Sequence, residues 1–158
     1  MAFPDSTALF RETKKQPMFS QACKYAIRAV LYLAVHASAG KKVGVKDIAA
    51  ALDVPKYFLA KILQQLSRNN LISSTKGPSG GFYLSEKNLE ATLKEVVECI
   101  DGPDVFNACI LGLPVCSSEN PCPLHIQAFA YREGLHYQLK HQAIGDLAKR
   151  IEREEQKI

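Results

Sequence analysis

The stretch from Pro55 to Leu84 narrows the possible folds more than any other part of this chain. Leu59, Ile62, Leu63 and Leu66 fall at i, i+3, i+4 and i+7, so a helix from Pro55 to about Asn69 has one buried stripe. Opposite that stripe lie Tyr57, Lys61, Gln64, Gln65 and Arg68. Two short apolar runs follow at once, Leu71-Ile72-Ser73-Ser74-Thr75 and Phe82-Tyr83-Leu84, and they read as strands. The Lys76-Gly77-Pro78-Ser79-Gly80-Gly81 segment between them carries little side chain, so its backbone can approach another surface closely. An amphipathic helix and a plain hairpin loop would explain each element alone. Their direct succession points instead to a recognition helix followed by a wing.

The flanking segments fit that reading. A first helix is expected from Gln21 to about Ala39, capped by Ser20 and ended at Gly40, with Ala22, Tyr25, Ala26, Ala29 and Leu33 as its apolar stripe. Val45 to Leu52 reads as a short second helix, and Asp53-Val54-Pro55 breaks the chain before the third. Two helices joined by a tight turn, the second polar and basic on its outer face, form a helix-turn-helix. Leu93, Val96, Val97 and Ile100 define a fourth helix, stopped at Asp101-Gly102-Pro103. The segment after it, to Pro121, has turn residues and no period. A long helix is expected from Pro123, with Leu124, Ala128, Tyr131, Leu135 and Leu139 on its apolar edge. A bend near His141 leads to a last helix around Ile144, Leu147 and Ile151, and then to a fraying charged tail from Glu152 to Lys157. The expected class is mostly α with a small β-wing. It divides into a flexible N-terminal extension (1–17), a winged helix-turn-helix (18–85), a linking helix (86–103), a cysteine loop (104–122), and a dimerisation helix with its tail (123–158).

Composition sets outer limits. A chain of 158 residues that is 47% hydrophobic can bury one core, and it contains no Trp. The formal charge of +4 permits nucleic-acid binding without demanding it. No apolar run matches a membrane span, and Met1 to Gln16 carries Arg11, Glu12, Lys14 and Lys15 where a secretory signal would be apolar. A cytoplasmic protein without a membrane partner is expected. Its five cysteines then read as thiols or metal ligands rather than as disulfides.

Cys109, Cys116, Cys122 and His125 are the chemically pointed group. Six residues separate the first two cysteines, five the next two, and two lie between Cys122 and His125. Three soft thiolates and one imidazole suit an iron–sulfur cluster or a closed zinc site, and the spacing alone does not choose between them. An unmetallated thiol switch is a third possibility. Cys23 and Cys99 lie on helix patterns as small hydrophobes. No spacing ties His36, His136 or His141 to a site. A catalytic Cys–His pair would need an oxyanion hole or a substrate pocket, and no such motif is present, so no enzyme is expected. A small electron carrier would need neither a wing nor a polar recognition face.

Four landmarks together resemble one family. They are Tyr25-Ala26-Ile27-Arg28 in the first helix, Val54-Pro55-Lys56-Tyr57-Phe58-Leu59 entering the recognition helix, Gly77-Pro78-Ser79-Gly80-Gly81 in the wing, and the cysteine loop ending Pro121-Cys122-Pro123-Leu124-His125. From Met18 to about Ile151 the chain resembles the Rrf-two family, the iron–sulfur-linked winged-helix regulators of bacteria with IscR- and NsrR-like members. The resemblance implies a homodimer on a near-palindromic double-stranded DNA operator, crossed C-terminal helices at the dimer interface, and a cluster held by the three loop cysteines. It also implies a fourth ligand, either a histidine soon after the third cysteine or a carboxylate near the start of the partner's first helix. His125 fits the first pattern, whereas Lys24 stands where the second needs a carboxylate. Ala60 replaces an acidic base-reading residue of some members, so operator preference does not carry over. The first cysteine gap is one residue longer than in IscR-like members and leaves two-iron and four-iron clusters both open.

The resulting DNA contacts are Lys56, Tyr57, Lys61 and Gln64 at base edges, and Lys76, Ser79, Gly80 and Gly81 from the wing. Ser20, Gln21 and Arg28 are expected at phosphates. Together these describe a repressor whose operator affinity is set by a metal cofactor.

Overall fold

The computed structural model describes residues 18–158, so the extension assigned to 1–17 lies outside the described residues. Helix α1 (Gln21–His36) runs through the centre, with α2 (Val45–Leu52) and α3 (Lys56–Arg68) on one side. Strands β1 (Ser73–Thr75) and β2 (Gly81–Tyr83) pair antiparallel, Ser74 opposite Phe82. Helices α4 (Glu86–Glu90) and α5 (Leu93–Asp101) follow, and a 3-10 turn at Pro103–Phe106 leads into the cysteine loop. Helix α6 (His125–His141) and helix α7 (Ile144–Glu154) complete the chain, α7 packing back on α1.

Each element has a local cause. Ser20 caps α1 by accepting from the Cys23 N–H at 3.0 Å. Leu59, Ile62, Leu63 and Leu66 of α3 are all buried, as the spacing requires. Asp53 takes the left-handed conformation that closes α2 and turns the chain into α3. Thr92 and Glu95 form a reciprocal capping box on α5. The wing is anchored from an unexpected side. Val43, in the connection before α2, exchanges backbone hydrogen bonds of 2.9 and 2.8 Å with Phe82. A side chain at Gly81 would lie 2.9 Å from the Val43 carbonyl oxygen, so this crossing requires glycine.

Several expected boundaries shift. Helix α1 ends at His36, not Ala39, because Ser38 and Lys41 pair their backbones in a tight turn that includes Gly40. Its buried stripe is Cys23, Ala26, Ala29, Val30 and Leu33, while Ala22 and Tyr25 are half-buried at its flank. The 86–103 segment holds two helices. Helix α4 exists because the buried Asn88 side chain accepts from Ser85 N and Ser73 Oγ and donates to the Asn70 carbonyl. One short side chain thus ties α4 to the recognition helix exit and to the wing. The last helix continues to Glu154, through the first residues of the expected tail.

The largest revision concerns α6. It starts at His125 rather than Pro123, after a turn in which the His125 N–H reaches the Cys122 carbonyl at 3.0 Å. Ala128 and Leu139 are buried and Leu135 packs on the protomer's own core, so most of the expected interface edge is used internally. The exposed apolar groups are Leu124, Ile126, Phe129, Tyr131 and Tyr137. The helix is apolar on both sides, and spacing alone therefore selected the inward one. No helix among the described residues is long and apolar enough to cross a membrane.

Leu63 is fully buried where α1 and α3 meet. Leu63→Ala is expected to cost about 2–5 kcal/mol of unfolding free energy. Urea unfolding monitored by circular dichroism should show a lowered midpoint with an unchanged slope.

Candidate metal centre and nucleic-acid interface

The cysteine loop is a succession of small turns, each presenting one thiol. Gly112, at φ 70°, lets its N–H return to the Cys109 carbonyl at 2.9 Å. The Ser117 N–H bonds the Asn120 carbonyl at 3.2 Å just after Cys116, and the Cys122 carbonyl accepts from His125. The three Sγ atoms consequently lie within 4.8 Å of one another, all half-buried. Cys109 Sγ is 3.8 Å from Cys122 Sγ, and His125 Nδ1 is 3.2 Å from Cys116 Sγ. The expected ligands are thus brought together in two donor pairs, with His125 adjoining Cys116 rather than equidistant from the three sulfurs. The His125 ring lies nearly parallel to that of Phe129, with centroids 6.3 Å apart.

The thiols differ electrostatically. The backbone N–H of Leu113, aided by that of Leu111, stabilises the Cys109 thiolate and holds its pKa down at about 7. Desolvation raises Cys122. Away from the loop, burial in the α1 core, reinforced by the carboxylate of Asp101, pushes Cys23 up to about 12. Cys99 is half-buried and is also raised by desolvation. Both fit the small-hydrophobe reading made from sequence, Cys23 completely and Cys99 in part.

The expected nucleic-acid contacts sort into free and engaged groups. Lys56, Tyr57, Lys61 and Gln64 are exposed on the outer side of α3, Tyr57 at 85%. Lys76 and Ser79 are exposed on the wing, and Gln21 at the start of α1. Gly80 and Gly81 serve the wing's own geometry: a Cβ on Gly80 would meet the Thr75 carbonyl oxygen, as one on Gly81 would meet that of Val43. Arg28 is half-buried and donates to the Leu52 carbonyl at 2.7 Å, fixing the turn between α2 and α3. Ser20 caps α1, and both its N–H and its hydroxyl donate to the Asp101 carboxylate. Gln65, expected on the outer face, donates to the Cys99 carbonyl at 2.7 Å and joins α3 to α5.

Two residues escaped the sequence reading. Asp101 was read only as a helix stop, yet it connects the end of α5, at the base of the cysteine loop, to the start of α1. Arg132 is buried on α6 and donates to the Ala108 carbonyl, next to Cys109. Its signal was available: it stands at i+4 from Ala128 and shares the face of Leu135 and Leu139.

A helix-turn-helix with its wing, joined through two short helices to a loop of three thiols, defines a winged-helix transcriptional regulator. Residues 19–150 match the Rrf2 family, described as an iron-dependent transcriptional regulator, and the chain belongs to that family. A chain of Aquifex aeolicus (strain VF5), provisionally assigned as an HTH-type transcriptional regulator, is 34% identical over 68% of this chain and 75% of its own. The HTH-type transcriptional regulator IscR of Xenorhabdus nematophila is 27% identical over 80% of this chain and 82% of its own. The structure of CymR, the global cysteine regulator of B. subtilis, shares the fold with a TM-score of 0.67 at 20% identity, covering 85% of this chain and 98% of the other. These relatives are transcriptional regulators, not enzymes.

Thiolate, not thiol, reacts with alkylating reagents. In metal-free protein, Cys109 should be carboxymethylated first, with a rate that climbs through about pH 7. Cys23 should remain unmodified at pH 9, since its thiol stays protonated and buried until the fold opens. Peptide mass spectrometry after timed labelling reads both.

Proposed function

We propose that this chain is a homodimeric repressor whose affinity for a near-palindromic operator is set by an iron–sulfur cluster on the cysteine loop. The observation that carries the reading is the donor set: three thiols and an imidazole, gathered in two pairs on the loop between the winged unit and α6. Cys109, Cys116, Cys122 and His125 would hold such a cluster, and a two-iron cluster, which takes two protein ligands per iron, would suit two donor pairs. When bound, such a cluster supplies a redox-labile anchor that oxygen, nitric oxide or iron limitation can remove. The rival reading is zinc: Cys109 and Cys122, with sulfurs 3.8 Å apart, would suit two thiolates on one tetrahedral zinc as well as on one iron. Iron and sulfide analysis with a visible spectrum of anaerobically purified protein separates these readings.

The chain's own residues do the rest. Lys56, Tyr57, Lys61 and Gln64 meet base edges, Lys76 and Ser79 reach phosphate or minor groove, and Gln21 joins them at the backbone. Arg28 and Ser20 act one step back, holding the turn and the α1 terminus in place. Ile126, Phe129 and Tyr137 on the outer side of α6, flanked by Leu124 and Tyr131, form the dimer face. A two-fold axis there sets two recognition helices about one DNA turn apart.

A dimer that neutralises roughly eight phosphates loses affinity with salt at a log–log slope of about −7. Lys61→Ala should weaken operator binding by about 1–3 kcal/mol if it reads a base. Phe129→Asp should sediment as a monomer and bind the operator poorly. Fluorescence titration of a labelled operator measures the affinities and analytical ultracentrifugation the oligomeric state, and wild-type affinity in the Lys61 and Phe129 variants would contradict the placement.

The cofactor's control is tested by comparing cluster-loaded protein, cluster-stripped protein and Cys116→Ala. A tenfold difference in operator affinity corresponds to about 1.4 kcal/mol of coupling. Equal affinities on every candidate operator would reduce the centre to a structural staple.

A further inference from the structure

Arg132 is 8% exposed and lies on the inward side of α6 among Ala128, Leu135 and Leu139. One guanidinium nitrogen donates to the carbonyl of Ala108, while the buried Nε has no partner. The ion pairs among the described residues are Lys94–Glu98, Lys149–Asp146 and Arg153–Glu154, and Arg132 belongs to none of them. A guanidinium stays charged at every physiological pH, and a buried charge without a counter-charge is among the costliest groups a fold can carry. A helix that needed only packing at this position would hold another leucine.

The missing anion is adjacent in the chain. Ala108 precedes Cys109, and once Cys109, Cys116 and Cys122 ligate a metal they are thiolates. Three thiolates and a neutral imidazole leave a net negative centre around either zinc(II) or an oxidised two-iron, two-sulfide cluster. We propose that Arg132 is the counter-cation and positioning residue of this thiolate centre. It holds the Ala108 carbonyl, and with it the start of the ligand loop, and it offsets the negative charge that metal binding brings in. This rests on the reading that the loop binds a metal centre, and it adds a residue outside the ligand set that governs retention and potential.

Electrostatics gives the two states opposite signs. Without metal, Arg132 is a buried cation lacking an anion among the described residues, so an apolar replacement relieves the metal-free fold. With metal, the same replacement strips the centre of its compensating charge. Loss of an outer partner of this kind costs roughly ten- to a hundred-fold in metal affinity. Adding an electron to the centre also becomes harder, and the reduction potential falls.

The experiment uses the full chain as wild type, Arg132→Met and Arg132→Lys. Three quantities are read: the thermal midpoint of metal-free protein, zinc(II) affinity by chelator competition, and the midpoint potential after anaerobic reconstitution with ferrous iron and sulfide. Arg132→Met should melt no lower than wild type when metal-free, bind zinc(II) about ten- to a hundred-fold more weakly, and show a more negative potential. Arg132→Lys keeps the charge and should recover part of both. Unchanged zinc(II) affinity and potential in Arg132→Met would overturn the proposal, as would a metal-free midpoint that falls in step with metal affinity. A wild-type chain that takes up neither zinc(II) nor a cluster would fail before any variant is compared, and would remove the metal-centre reading along with the inference.

Discussion

The rest of the structure depends on the burial of one face of α1. Cys23, Ala26, Ala29, Val30 and Leu33 are all at 0% exposure, and α2, α3, α5 and α7 each pack against this helix. Three of the five side chains are small, which lets neighbouring helices approach closely and leaves the larger Leu33 and Val30 to fill the space between them. The recognition helix is aimed by this contact. Its outward side chains have a fixed direction only because Leu59, Leu63 and Leu66 have no other place to go.

Polar contacts then join the winged unit to the thiol loop. Ser20 and Asp101 link the start of α1 to the end of α5, Gln65 links α3 to the same helix, and Phe106 lies with its ring 6.2 Å from Phe19 and 4.8 Å from His136. The loop is therefore framed on one side by the helix that supports recognition and on the other by α6. The loop and the recognition helix are thus joined through α5, with few residues between them.

Much of this was legible in the sequence, for identifiable reasons. The α3 stripe, the α2 helix and the wing have one apolar face each, and a periodic signal locates such elements well. The four candidate ligands stand close together in the chain, and a loop that turns at Gly112, Ser117 and Cys122 brings three of them together with His125 beside one. Helix α4 was missed because its capping box uses Asn88 where Glu or Gln would have announced it. The outer face of α6 was missed because that helix is apolar on two sides, and spacing cannot tell which side meets the protomer. Arg28, Ser20 and Gln65 were read as outward groups from their basic and polar side chains; Ser20 and Gln65 are exposed and Arg28 half-buried, but each is also hydrogen-bonded to another element. Their partners, two backbone carbonyls and the Asp101 carboxylate, lie 24, 34 and 81 residues away, which no local pattern reveals.

None of the thiols at 109, 116 and 122 takes part in the buried core. Apolar burial therefore completes the core without them. If the loop holds a metal as proposed, loss of that metal would leave this core whole, a chain in reserve rather than misfolded waste.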